Sequence, residues 1–284
     1  MKFGISAYNW VSPFSTKTVD LIAKVKAMGF DVFEITCEQP EIIDLEVVKR
    51  EIEENDLDAT VCTVMGPGRD LSTDDPEMVR STMGYLHWCI KAAEFLGSPI
   101  ISGPLYSYVG KTRLLPEVEK YAERKRAVDN LKKVAVIAAD HNVKLALEPL
   151  NRFEIDMINT VDQGLALIDE IDHPSVGFLL DSFHMHIEEK DSAQAIRKAG
   201  EKLFHFHSCE NDRGVPGSGQ VDWTGIRQAL QDINYSGSLV IESFTRELEA
   251  IARAVSLWRP LAPDQDTIAI DGLAFLQSFF KGTN

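Results

Sequence analysis

The stretch Val143–Glu154, VKLALEPLNRFE, decides how the rest of the chain is read. Its opening run suits a buried strand, yet it ends in a carboxylate, Glu148, and breaks at Pro149. A charge placed where a strand leaves the core is costly unless it is paired or bound to something. Three later apolar runs end in the same way: VGFLLD in Asp181, LFHFH in His207 and SLVIE in Glu242. These ends recur at intervals of about 30 residues, the length of one strand-and-helix unit in a barrel of eight.

Upstream, FGISAY near Phe3, VFEI near Val32, ATVCTV near Thr60 and PIISG near Ile100 bring the expected strands to eight. Helical patterns lie between them. One runs from Thr18 to Met28 and is closed by Gly29; another runs from Glu117 to His141, with Tyr121, Val128, Leu131, Ala135 and Ala138 on one face. In TVDQGLALIDEID, Thr160 is the expected N-cap, and Val161, Leu165, Ile168 and Ile171 form the stripe. A terminal helical segment, about 264–281, carries Ile268, Leu273, Leu276 and Phe280 and is expected to close the barrel. No linker, low-complexity tract or composition shift divides the chain, so residues 1–284 are read as a single (β/α)8 TIM-barrel domain of the α/β class. The competing doubly wound sheet wants a glycine-rich phosphate turn after an early strand, and the first strand here runs into AYNWVSP.

With 44% hydrophobic and 26% charged residues, the composition is that of an ordinary globular protein. A net charge of −15 opposes binding to nucleic acid or anionic lipid, and no basic run offsets it. The start, MKFGISAYNW, is too short an apolar run for a secretory signal, and nothing resembles a membrane span. A cytoplasmic enzyme is the expectation. Cys37, Cys62, Cys89 and Cys209 have no CxxC spacing and read as free thiols.

In a barrel, the four strand ends meet at the carboxyl face, where active sites of this fold sit. Period-two alternation puts Glu148 on the side of Ala146, Asp181 with Leu179 and Gly177, and Glu242 with Val240 and Ser238. Leu145, Leu147, Phe178, Leu180, Leu239 and Ile241 then face the helices. Three carboxylates and an imidazole in one place raise each other's pKa steeply unless a cation intervenes. Any one of them alone reads as a salt-bridged or capping group; four at equivalent strand ends argue for a divalent metal. Oxygen ligands with one nitrogen suit Mn²⁺, Co²⁺ or Mg²⁺, and no aligned thiolate favours structural zinc.

Neighbouring polar residues have two readings each. His184, three after Asp181, shares its side if a helical turn begins there, while His186 faces solvent. His205 reads as a hydrogen-bonded core histidine one layer below His207. Glu154 is either a loop charge or a partner of the site. Arg213 can orient an oxygen-rich substrate with its forked donors. GVPGSGQVDW lacks a GK[ST] end and reads as a tight loop; Cys62 and Cys209 read as packing residues.

The strings ALEPLNRFE, LLDSFHMHIEE, HFHSCENDRG with PGSGQVDW, and LVIESF followed by RAVSLWR resemble the D-tagatose 3-epimerase and D-psicose (allulose) 3-epimerase family, within the xylose-isomerase-like barrels. The detailed likeness spans Asn142 to Arg259; the first half agrees in architecture. The resemblance implies metal ligands at Glu148, Asp181, His207 and Glu242, with Mn²⁺ as the expected ion. It also implies substrate contacts at Glu154, His184 and Arg213, and a homo-oligomer, dimer or tetramer. Its chemistry is inversion at carbon 3 of a free ketose, the metal holding the oxygens at carbons 2 and 3. Glu148 and Glu242 are then the catalytic pair, each acid or base according to direction. The alternatives are an aldose-ketose isomerase or a lyase cleaving 3-oxo-glycosides, and, outside enzymes, a sugar-binding module. Pro149, SCEND after His207, and the ends of the first four strands depart from the family's pattern and leave the particular ketose open.

Overall fold

The structure, a computed structural model, describes residues 1–63 and 65–281. Eight parallel strands pair in chain order: β1 Lys2–Ser6, β2 Val32–Cys37, β3 Asp58–Thr63, β4 Ile100–Gly103, β5 Lys144–Leu147, β6 Val176–Asp181, β7 Leu203–His207 and β8 Ser238–Ile241. β8 returns to pair with β1, closing the barrel and leaving no sheet edge. All eight expected strands form; Val64, the last residue of the ATVCTV run, lies outside the described residues, as do residues 282–284.

Alternation sorts the barrel into two layers. Phe33, Ile35, Leu145, Leu147, Phe178, Leu180, Phe206, Leu239 and Ile241 join one apolar core between sheet and helices. Each such side chain contributes about 1.5–3 kcal/mol by leaving water. The alternate residues face inward, where apolar Ala146, Leu179 and Val240 share the interior with polar Ser6, Glu34, Thr36, Thr60, Ser102 and His205, all buried. That interior lies directly beneath the strand ends.

The helix Glu117–Asp140 follows its sequence pattern except at its start. Tyr121 was expected on the apolar face, but it is 68% exposed. The buried face begins only at Ala127, and in the turns before it Glu123 pairs with Lys111 and Arg113. The helix Val161–Ile171 starts at Thr160 in a capping box: Thr160 Oγ1 accepts from Gln163 N at 3.3 Å, and Gln163 Oε1 accepts from Thr160 N at 3.2 Å. Its buried stripe uses Gly164 and Leu167, leaving the expected Leu165 half-buried. The first helix is shorter than expected, Leu21–Ala27, because Thr16–Thr18 forms a separate 3-10 turn capped by Ser15. The helix Gln265–Lys281 packs against β1 and β8 and seals the seam, and Gln265 Nε2 donates to Asn9 O at 2.7 Å. All four cysteines are free and buried. Among the described residues, no helix is long and apolar enough to cross a membrane.

Two helical glycines test this packing. A Cβ on Gly84 meets nothing within 4 Å, whereas one on Gly164 falls 2.4 Å from the buried Phe178 ring. Both replacements by alanine gain helix propensity, about 1 kcal/mol. Gly84→Ala is therefore expected to raise the urea midpoint, and Gly164→Ala to lower it, since overpacking costs about 1–3 kcal/mol.

Candidate metal centre and active site

Each predicted ligand sits where its strand delivers it. Glu148 leaves β5 with its backbone still tied to the barrel: its N–H donates to Gly103 O at 3.0 Å, and Tyr106 Oη donates to its carbonyl at 2.8 Å. Asp181 closes β6 and caps the helix Ser182–Glu188, accepting from Phe183 N at 2.7 Å. That helical turn, which the reading of His184 required, carries its ring inward. His207 ends β7 and Glu242 follows β8. Ligand atoms of Glu148, Asp181, His207 and Glu242 all lie within 4.8 Å of one another, and all four residues are buried.

Crowding of this kind perturbs every group. Burial, then the neighbouring Glu242, pushes the Glu148 carboxyl well above the ordinary carboxylate range. Burial also raises Asp181, partly offset by Arg213. Glu242 goes the other way: burial opposes ionisation, but His207 and Arg213 outweigh it and hold the carboxyl low. The same balance, with Glu34 and Glu242 outweighing burial, holds His207 protonated well above the ordinary histidine range. Glu148 Oε1 and both ring nitrogens of His207 are buried without a hydrogen-bond partner. The unpartnered Glu148 Oε1, together with the carboxylates of Asp181 and Glu242 and the His207 imidazole once it loses a proton, fits a divalent cation taking oxygen ligands and one nitrogen.

Arg213 completes the charge balance. Its Nη1 donates to Asp181 Oδ2 at 2.7 Å and to Glu242 Oε2 at 2.8 Å, while Nη2 lies 3.1 Å from His184 Nε2. The guanidinium stacks on Phe183 and Phe244. Asn151 links the other two predicted residues: its backbone N–H donates to His184 Nδ1 at 3.0 Å, and its Nδ2 donates to Glu154 Oε1 at 2.8 Å. Glu154 is half-buried and lines a cavity of about 190 Å³ together with Glu148, His184, Arg213 and Glu242. All seven residues singled out from sequence therefore converge on one mouth. His186 is exposed, as expected.

Two expectations need refinement. Cys209 does more than pack: its Sγ donates to Glu242 O at 3.0 Å and lies 3.4 Å from Asp181 Oδ2. Burial holds the thiol well above the ordinary range, so it stays protonated. The loop GVPGSGQVDW is indeed tight, and it wraps the carboxylate of Glu210, which accepts from Gly217 N, Val221 N and Trp223 Nε1 at 2.8–3.0 Å. Its backbone donors thus already hold an anion.

Sequence reasoning missed three contributors. Asn151 and Tyr106 act through contacts that only the fold creates. Glu34 on β2 is fully buried, and its Oε2 lies 2.7 Å from His205 Nε2. Alternation within VFEI opposes Glu34 to Phe33 and Ile35, a signal sufficient to place it inside the barrel.

Residues 22–279 match the family described as "Xylose isomerase-like TIM barrel". The chain belongs to that family of barrels. Within it, the chain is 37% identical over 281 residues to a probable ketose 3-epimerase of Synechocystis sp., covering 99% of this chain and 97% of that one. It is 35% identical to the D-psicose 3-epimerase of Enterocloster bolteae, covering 95% and 91%. The crystal structure of a D-allulose 3-epimerase from Methylomonas sp. in complex with D-allulose superposes with a TM-score of 0.92 at 30% identity, covering 98% of this chain and 96% of that one.

Cation uptake must displace the protons held by Glu148 and His207. Mn²⁺ at 100 times its Kd is therefore expected to stabilise the fold by about 2.7 kcal/mol near pH 8. The effect should shrink as pH falls, because protons then compete for the ligands. Thermal unfolding with and without Mn²⁺ across pH 6–8 measures this, and excess EDTA should abolish it.

Proposed function

We propose that this chain is a metal-dependent ketose 3-epimerase, an isomerase that inverts carbon 3 of a free ketose. The observation that carries the reading is the pair Glu148 and Glu242, two buried carboxylates at the ends of strands three positions apart in the barrel, lining one cavity and belonging to the four-residue group that could hold a divalent cation. Epimerisation removes a proton from one face of carbon 3 and returns one to the other, so it needs two proton carriers flanking one carbon. The near full-length likeness to ketose 3-epimerases supports the same chemistry.

Glu148, Asp181, His207 and Glu242 would hold the ion. A bound divalent cation supplies Lewis acidity to the oxygens at carbons 2 and 3, acidifying the carbon 3 proton. One glutamate takes that proton as its carboxylate, and the other, protonated, delivers its own to the opposite face. His184, Arg213 and Glu154, which line the same cavity, would contact the sugar's hydroxyls. Met65, Pro67, Val109, Leu150 and Ile251 give the outer cavity an apolar wall that excludes water and contacts the far end of the sugar.

Glu148→Gln and Glu242→Gln keep size and one metal-binding oxygen but cannot carry the proton. Each is expected to lower the epimerisation rate at least 10³-fold, about 4 kcal/mol of barrel-bound catalysis, while Mn²⁺ binding persists in weakened form. A variant turning over at the native rate removes that residue from the mechanism.

Incubation with Mn²⁺ and a ketose panel, D-psicose first, in heavy water separates the related chemistries. Deuterium at carbon 3 supports epimerisation; at carbon 1 or 2 it assigns an aldose-ketose isomerase instead. Release of an aglycone from a 3-oxo-glycoside would assign a lyase, and no exchange with any sugar a binding module.

A further inference from the structure

Below the mouth, the barrel holds a second set of buried polar side chains that the chemistry above does not use: Glu34, Thr60 and His205. Glu34 is fully buried on β2, and its two oxygens serve different imidazoles. Oε2 lies 2.7 Å from His205 Nε2 and accepts from Thr60 Oγ1 at 3.2 Å; Oε1 lies 3.0 Å from His207 Nε2. The His205 and His207 rings meet edge-on, with centroids 5.1 Å apart. Glu34 does not line the mouth cavity, so it cannot touch a sugar there.

We propose that Glu34 is a positioning residue for His207, turning Nε2–H into the barrel and aiming the Nδ1 lone pair at the metal. The inference rests on the reading of His207 as a ligand. The two ring nitrogens point in opposite directions. Nε2 faces Glu34, and Nδ1 lies 3.5 Å from Glu242 Oε2, on the side of the other ligands. Neither His207 nitrogen nor Glu34 Oε1 has a hydrogen-bond partner, and the approaches of the ring to Glu34 and Glu242, 3.0 and 3.5 Å, are ion-pair contacts. An imidazole whose far N–H meets a carboxylate has its tautomer and its orientation set, and it becomes a stronger ligand. His205 consumes the other Glu34 oxygen, and Thr60 braces the same side. The carboxylate therefore cannot swing toward the mouth and compete with Glu148, Asp181 or Glu242 for the cation.

The same three residues, Glu34, His205 and His207, also lie close enough to suggest an ion of their own. The 2.7 Å between Glu34 Oε2 and His205 Nε2 is a hydrogen-bond distance, shorter than the ~2.9 Å between adjacent ligands about 2.0–2.1 Å from an octahedral ion, and Thr60 Oγ1 donates to the same oxygen, so we read the group as a hydrogen-bonded cluster.

Glu34→Gln preserves volume but offers one acceptor and one donor, so it cannot accept from both rings. Titrating Mn²⁺ by electron paramagnetic resonance should show the Kd rising about 10–100-fold in this variant, the usual cost of losing such a partner. Glu34→Asp should recover part of that loss. The visible bands of bound Co²⁺ should shift in Glu34→Gln, which a remote packing defect would not cause. Unchanged Mn²⁺ affinity and Co²⁺ bands in Glu34→Gln overturn the proposal, as does finding two Mn²⁺ per native chain. Should the variant not fold, the native chain decides. With Mg²⁺ bound, ¹⁵N-histidine spectra should place the His207 proton on Nε2, and a proton on Nδ1 overturns the assignment. A native chain that takes up no Mn²⁺ overturns the metal reading itself; native uptake with an indifferent Glu34→Gln overturns only the role of Glu34.

Discussion

Mutual repulsion among Glu148, Asp181 and Glu242 is the constraint on which the rest of the mouth depends. Their side-chain oxygens share a space only a few ångströms across, and all three residues are buried. Like charges at such range in a poorly screened interior cannot coexist without positive partners. Within the protein, those partners are Arg213, wedged between Asp181 and Glu242, and His207, held between Glu242 and Glu34. Even so, Glu148 finds too little compensation and is driven toward its neutral form. A cluster so arranged favours a divalent cation strongly, because the cation replaces repulsion with attraction at each oxygen.

The barrel makes that arrangement tolerable. Its outer face is continuous apolar packing between strands and helices, which supplies the stability that a polar interior cannot. The interior can then accommodate Ser6, Glu34, Thr36, Thr60, Ser102 and His205, all buried. Because the sheet has no edges, strand ends are held in fixed register, and small displacements of one ligand would strain its neighbours. Loops after the strands refine the geometry. Tyr106 anchors the carbonyl of Glu148, Asn151 couples His184 to Glu154, and Glu210 gathers the glycine-rich loop beyond Arg213.

Much of this was legible in the chain itself. Strand positions, the four polar strand ends Glu148, Asp181, His207 and Glu242, and the capping of the helix at Thr160 follow from short-range pattern. Tyr121 misled because helical periodicity identifies a face but not where along the helix its burial begins. Leu165 misled for a similar reason: Gly164 lets the helix approach Phe178 so closely that the stripe rotates toward Leu167.

By itself, the sequence determined which residues point into the barrel and which of them end a strand, since a strand's two-residue period is a property of local backbone geometry. Only the tertiary structure decided which of those residues meet. Glu34 and His205 stand 171 positions apart, and Arg213 reaches Asp181 across 32. Such contacts arise when closure of the barrel carries distant strands to opposite sides of one narrow interior, a long-range event that no local pattern encodes.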